Sequence, residues 1–383
     1  MTFFIAGLAL AALAALFSFF LSPLGLGPEP EKVLPGGFFK TPSTALGNLK
    51  LLVDGEEAFA AIMELVQRAE KSVIAQTLIW RDDETGREVV SALVDAANRG
   101  VKVSVSKDMA GTFFEAGDII RGRPSPVFAD SHLRKHKSIE VHTSLFADTD
   151  HSKYFIADGT RAVFGGMNIG DEYHRLWHDF MVMAESPEFV EAFESRVVDG
   201  ERWPCDNGVF VAVNSRKACE IRRALLEAIG RARESVVLDH AYFSDTNIIN
   251  ALVEAAGRGV RVDVILPKAP DIHLYANMTT INLLLASCPP DRIGVHLYPR
   301  MSHSKVGLID GVIAVVGSAN LTGRSMKRSR EVALFAHGRP DDPFIERLRG
   351  QILSDIAASE KVTAPLGLSI KGRIAAALGA YIW

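Results

Sequence analysis

The sequence predicts an α/β protein of two similar halves, each an α/β/α layered sheet, behind an N-terminal transmembrane helix. Three observations carry this prediction. A polar motif occurs twice, as HSKYFIADGTRAVFGGMN at 151–168 and HSKVGLIDGVIAVVGSAN at 303–320. A second stretch also repeats, ALVDAANRGVKVSV at 92–105 against ALVEAAGRGVRVDV at 251–264. The third is the start of the chain: residues 1–28 carry no charged side chain, and Phe3 to Leu21 is an almost unbroken apolar run.

Taken in order, residues 1–27 read as a retained membrane anchor, because a helix rises about 1.5 Å per residue and so spans roughly a bilayer's hydrocarbon core. A cleaved signal peptide and a buried helix are the competing readings; the basic n-region of a signal peptide is missing. Lys32, Lys40 and Lys50 follow the span, diluted by Glu29 and Glu31, and point to a cytoplasmic catalytic portion. Residues 28–50, rich in proline and glycine, read as a linker. The pattern then alternates. Helical spacing covers 56–70, a strand 72–80, a helix 88–99 ending at Gly100, and a strand 101–106. The second half repeats this, with a helix at 219–233, a strand at 235–243, a helix at 248–258 ending at Gly259, and a strand at 260–266. The halves are placed at 51–204 and 205–360.

A chain of 383 residues has ample length for such cores. The formal net charge of −4 argues against a generic nucleic-acid binder, so no nucleic-acid partner is expected. Cys205, Cys219 and Cys288 form no CxxC, and neither a zinc site nor a disulfide framework is implied.

The doubled motif carries the chemistry. His151 and His303 are each followed by Lys (153, 305), Asp (158, 310), Gly (165, 317), Asn (168, 320) and a late acid, Asp179 or Glu331. Alternate residues of a strand share a face, so His-x-Lys presents both side chains together. Imidazole is a nucleophile or general acid near neutral pH, and ammonium suits an anionic oxygen. Gly166 and Ser318 would let backbone approach a bound group closely, while Asn168 and Asn320 offer amide donors. The late carboxylate can hold an imidazole by its other nitrogen; the expected pairs are Asp179 with His151 and Glu331 with His303. Two ammonium groups supply the charge a divalent ion supplies elsewhere, so neither metal nor cofactor is called for.

The pattern H-x-K-x4-D-x6-G-[GS]-x-N, present twice, resembles the phospholipase D superfamily. GGMNIGDEY at 165–173, LWHDF at 176–180, HAYFSDTNIINAL at 240–252 and GVHLYPRMSHSK at 294–305 are similar to bacterial cardiolipin synthases. The resemblance spans roughly residues 51–357. It implies two halves related by a pseudo-two-fold axis, both His-x-Lys strands at a shared cleft, and a structural salt-bridge or turn role for Asp158 and Asp310. It further implies a two-step exchange on a phospholipid, phosphatidylglycerol or another glycerophospholipid. His151 attacks to give a phosphohistidine, His303 protonates the leaving alcohol and then acts as base, and cardiolipin forms at the cell membrane. With water as acceptor the same site is a hydrolase of phospholipid or nucleic acid. A non-catalytic scaffold is disfavoured by two complete motif sets. A single clear N-terminal span, where familiar cardiolipin synthases have two or none, leaves the lipid pair open.

Four stretches stand outside the motif. Phe113, Phe114, Arg121, Arg123 and the run HLRKHK at 132–137 read as a solvated loop, as a rim attracting anionic headgroups, or as a local nucleic-acid patch. His174 and His178, four apart, read as packed or surface residues, or as a metal pair on one helical face. Tyr242 and Phe243 are expected to pack under the site. In the tail 361–383, Ile370, Ile374, Leu378 and Tyr381 recur at helical spacing and suit an interfacial amphipathic helix, packing against the body, or a frayed end. Both motifs lie in one chain, so a complete site needs no second copy; the oligomeric state stays open.

Overall fold

The computed structural model describes residues 33–43, 46–144, 149–203, 208–369 and 372. The expected N-terminal anchor and, in the tail, residues 370, 371 and 373–383, with Ile370, Ile374, Leu378 and Tyr381, lie outside the described residues. Among those residues, no helix is long and apolar enough to cross a membrane.

Two mixed sheets dominate. The first runs, in spatial order, β1 (Leu49–Val53), β7 (Phe180–Ala184), β6 (Arg161–Gly165), β5 (Tyr154–Ala157), β2 (Ser72–Thr77), β3 (Lys102–Asp108) and β4 (Ile139–Ser144). The second runs β9 (Ala218–Cys219), β8 (Val209–Ser215), β15 (Glu331–His337), β14 (Ile313–Gly317), β13 (Lys305–Ile309), β10 (Ser235–His240), β11 (Arg261–Pro267), β12 (Ile293–Tyr298) and β16 (Glu360–Lys361). Without the outermost β9 and β16, the two orders match strand for strand. In each sheet the three strands reached through crossovers are parallel (β2, β3, β4 and β10, β11, β12), and the remaining pairs are antiparallel.

The duplicated helices share their caps. Asp83 accepts from the Gly86 amide at 2.8 Å to start the helix Glu84–Asn98, and Asp245 accepts from the Asn247 and Ile248 amides to start Thr246–Gly257. Gly100 and Gly259 then leave these helices with the same φ of 94°, a left-handed turn that glycine adopts without penalty. The first of these helices begins four residues before the apolar spacing suggests, because the Asp83 cap sets its start.

Three apolar clusters join the layers. On the outer face of the first sheet, Ile62, Val66, Val89 and Leu93 cover Val73 and Val103. On the second, Leu225, Ile229, Ile248 and Leu252 cover Val236 and Val262. The third cluster holds residues of both sheets, Ile156, Phe164 and Val182 with Val306, Val316 and Leu334. Phe193 of the helix Pro187–Glu194 and Leu348 of Pro343–Ala358 complete it. The inner faces thus share one core, and the halves are held together by burial.

Two sequence expectations change. The second part of the supposed linker is not a tether: Leu34 and Phe38 are buried in the core of the second half, and the Ser43 amide donates to His337 O at 2.7 Å. An aromatic pair within a proline-rich stretch was the sign of that anchorage. The basic run is not a loop but the short surface helix Ser131–Lys135, capped by Asp130 and pinned by buried Leu133.

Candidate active site

Each His-x-Lys segment lies at the start of a central antiparallel strand. The His151 amide donates to Arg330 O at 2.8 Å, and the His303 amide donates to His178 O at 2.7 Å. Parallel bridges Asp150 to Arg330 and His178 to Ser302 fix these junctions. The motif histidine of either half is therefore docked on the residue that precedes the late acid of the other half.

The carboxylates follow that docking. Nδ1 of His151 donates to Glu331 Oε2 at 2.9 Å, and Nδ1 of His303 donates to Asp179 Oδ2 at 2.7 Å. The expected pairing of Asp179 with His151 and Glu331 with His303 is overturned. Within one sheet the acid-bearing strand lies two places from the histidine strand, about 10 Å away at normal strand spacing. The facing half brings its acid closer.

Both lysines are buried. Lys153 donates to His151 O and Lys305 to His303 O. Burial, reinforced by Lys305, pushes the Lys153 ammonium down to about 7 against the pull of Glu331; burial also lowers Lys305. His303 falls to about 4 through burial and the Lys305 charge, outweighing Asp179. His151 is lowered by burial as well, Glu331 opposing. Glu331, fully buried, is nonetheless held below its usual range by His151, Lys153 and the hydroxyl of Ser318. With Nδ1–H committed to a carboxylate, each neutral imidazole leaves its Nε2 lone pair for an electrophile. A pH consequence follows. Above about pH 7 the free site loses the Lys153 charge, so kcat/KM for a phosphodiester anion is expected to fall on the alkaline side with an apparent pKa near that value. A pH–rate profile checks this; a profile flat well into the alkaline range would remove Lys153 from that role.

The smaller motif residues turn out to support the carboxylates. The Gly166 and Ser318 amides are taken by Phe180 O and Val332 O, so they do not face a substrate as expected. A Cβ on Gly166 would meet Asp179 Oδ1 at 2.3 Å, and Ser318 Oγ donates to Glu331 Oε2 at 2.5 Å. The two positions give the two acids their room and their anchor. Asn168 accepts from the Ile79 amide at 3.1 Å; Asn320 is buried, and its Oδ1 has no partner among the described residues. Asp158 and Asp310 make no ion pair there. Both adopt positive φ (56° and 49°), and each accepts from three successive amides, Glu70 to Ser72 and Arg233 to Ser235. They build matching turns.

The two histidines differ in surroundings. His303 sits among Tyr173, Trp177 and Tyr242, with ring centroids 5.3, 5.7 and 6.4 Å away. Tyr242, expected beneath the site, is beside it. Tyr173 and Trp177 were missed as site residues although both stand in the stretches GGMNIGDEY and LWHDF. His174 and His178 do not converge on a metal. The turn Glu172–Leu176 ends before extended Trp177, so they share no helical face. His174 Nδ1 meets Thr85 Oγ1 at 2.9 Å, whereas His178 donates to Asp54 at 2.6 Å and Asp355 at 3.2 Å.

A family model described as cardiolipin synthase, PLD-like domain, matches residues 62–198 and 225–355, one segment for each copy of the motif. This chain belongs to that phospholipase D-like family. It is 28% identical over 352 residues to cardiolipin synthase A of Pseudomonas syringae, covering 84% of this chain and 71% of the relative. It is 27% identical over 346 residues to cardiolipin synthase B of Escherichia coli, covering 83% of each. Among solved structures, phosphatidylserine synthase of Haemophilus influenzae shares the fold with a TM-score of 0.71 at 13% identity, over 90% of this chain and 96% of that one. Polyphosphate kinase of Porphyromonas gingivalis shares it at 0.55 and 17%, over 92% of this chain and 56% of its own.

Proposed function

We propose that this protein is a phosphatidyltransferase that makes cardiolipin from phosphatidylglycerol through a phosphohistidine, at a membrane surface. The observation that carries the reading is the pair of histidine–carboxylate couples, flanked by two buried lysines, in one site. His151 Nε2 attacks the donor phosphorus, the bond from phosphorus to the glycerol oxygen breaks, and His303 gives that oxygen its proton. The hydroxyl of a second phosphatidylglycerol then passes its proton to His303 while its oxygen displaces His151. Because His303 is neutral in the empty site, its proton enters with the phosphodiester's negative charge. Lys153 and Lys305 stabilise the charge that grows on the non-bridging oxygens. Similarity to cardiolipin synthases A and B supports a lipid acceptor over water.

The test uses the purified protein in mixed micelles with headgroup-labelled phosphatidylglycerol. Cardiolipin with free glycerol is expected. Phosphatidic acid with glycerol would mean a phospholipase D-type hydrolase instead, and no turnover would exclude phosphatidylglycerol as donor.

Exposed apolar side chains on connectors of the site support a lipid-facing role. Phe113, Ile120, Leu176, Leu274 and Tyr275 are all exposed, on connectors that also carry or adjoin residues of the site. The connector bearing Phe113 and Ile120 follows Asp108, which accepts from the amide of Asp150 at 2.8 Å. Leu176 precedes Trp177, and Leu274 follows His273, whose ring lies 5.0 Å from Tyr242. Arg121 and Arg123 follow Ile120; their guanidiniums are exposed and both pair with Asp118. An apolar side chain moved out of water contributes about 1.5–3 kcal/mol, and about 1.4 kcal/mol is tenfold. The double variant Ile120→Asp, Leu274→Asp is therefore expected to lose about tenfold or more in kcat/KM on vesicles. Its turnover of a monomeric short-chain phosphatidylglycerol should be unchanged. Equal losses on both substrates would argue against the rim.

A further inference from the structure

We propose that His178 is a positioning residue: bridging Asp54 and Asp355 across the two halves, it fixes the Asp179–His303 pair in its working geometry. The inference rests on the phosphodiester chemistry proposed above and adds a residue that the doubled motif does not contain.

Three observations carry it. First, both ring nitrogens meet carboxylates, Nδ1 with Asp54 Oδ1 at 2.6 Å and Nε2 with Asp355 Oδ2 at 3.2 Å. An imidazole donates from both nitrogens only as an imidazolium. The side chain is almost wholly buried, packed between the rings of Phe180 and Tyr298 at 4.9 and 5.1 Å. Burial opposes the charge, but the bonds to Asp355 and Asp54 outweigh it and raise the group to about 11. Arg300, 3.1 Å from Asp54, and buried Asp239 complete the charged groups around it.

Second, the backbone of His178 is the seat of His303. Its amide donates to Met301 O at 3.0 Å, and its carbonyl accepts from the His303 amide at 2.7 Å. The next residue is Asp179, whose carboxylate holds the His303 ring. A ring locked by Asp54 from the first half and Asp355 from the second leaves that three-residue junction little freedom.

Third, the other half carries the same device with different chemistry. Arg330 precedes Glu331, donates its amide to Thr149 O at 2.8 Å, and accepts from the His151 amide at 2.8 Å. Its guanidinium lies 3.7 Å from Asp150 and donates to Val197 O. Each half thus places a cation one residue before the acid that orients the opposite histidine.

The competing account is a divalent cation. Ligand atoms of His178, Asp239 and Asp355 lie within 4.8 Å of one another, and one carboxylate oxygen of Asp239 has no partner among the described residues. Arginine can replace an imidazolium strut but cannot replace a metal ligand, and this separates the two.

The experiment compares His178→Arg, His178→Gln and the parent as full chains, with thermal melts to confirm folding and elemental analysis for metal. His178→Gln is expected to lower kcat about 100-fold, the scale of a small misplacement of reacting groups, with KM within about twofold. His178→Arg should restore kcat to within several-fold. Should His178→Gln not fold, Asp355→Asn removes the negative charge opposite the imidazolium while keeping the ring and should show the same loss of kcat. Unchanged kcat in His178→Gln overturns the proposal. So does an arginine variant as impaired as the glutamine one, or a stoichiometric divalent cation that is lost in Asp239→Asn. Parental turnover of phosphatidylglycerol is the control for the proposed activity. If that alone fails, the same comparison is made on bis(4-nitrophenyl) phosphate, where the strut predicts the same order of variants.

Discussion

Replacing either His151 or His303 by alanine is expected to remove phosphatidyl transfer, with kcat falling by about 10⁴-fold or more, as in other sites whose nucleophile and proton carrier act as a unit. The two losses should differ in where the reaction stops. A donor carrying 4-nitrophenol in place of glycerol needs no proton on its leaving group. With that donor, labelled in the phosphate and acyl parts, His303→Ala should still form the covalent intermediate. Lacking a base for the incoming hydroxyl, it should then hold the label. Alkaline denaturation preserves a phosphorus–nitrogen bond to histidine, so label should remain on the His303→Ala protein and be absent from His151→Ala. The two histidines are not equivalent in the structure. His303 is boxed by three aromatic rings and its side chain is 6% exposed, against 16% for His151. The reverse labelling pattern would make His303 the nucleophile. Full activity in both variants would end the phosphohistidine mechanism.

What the sequence discloses and what it hides have separate physical origins. Local rules predict local structure. The caps at Asp83 and Asp245 and the left-handed exits at Gly100 and Gly259 are set by residues a few positions apart, and the duplicated periodicity makes each half vouch for the other. The same duplication picks out His151, Lys153, His303 and Lys305, which the fold gathers into one site. Pairing across the halves is not local. Glu331 meets His151 over 180 residues and Asp179 meets His303 over 124, so nothing in the spacing within either copy discloses the exchange of partners. Reading each copy as self-contained was the error. Gly166 and Ser318 misled similarly: a small residue signals close approach, but here what approaches is the acid of the site itself. The spacing of His178 from His174 is its one local signal, while its partners, Asp54 and Asp355, lie 124 and 177 residues away.

The exchanged pairing is itself open to a decisive measurement. Glu331→Gln keeps the shape of a fully buried side chain but removes the charge that accepts the hydrogen bond from His151 Nδ1. The neutral amide can instead present an N–H to that nitrogen, which favours the wrong tautomer and commits Nε2 to a proton. Loading of phosphate onto His151 from the activated donor should then slow by about 10²–10⁴-fold, the range seen when an orienting carboxylate is neutralised. Asp179→Asn disturbs His303 instead. With a leaving group that needs no acid, it should load His151 at close to the parental rate and fail at the second step, where His303 must accept a proton. Rapid-quench labelling of the two variants separates these outcomes. If pairing stayed within each half, Asp179→Asn would be the variant that cannot load, and Glu331→Gln the one that loads and stalls. Because each histidine draws its acid from the opposite half, neither half could make a working couple alone. That dependence gives a physical reason for the two copies to remain fused and face to face: separating the sheets would cost the shared core and dismantle both couples at once.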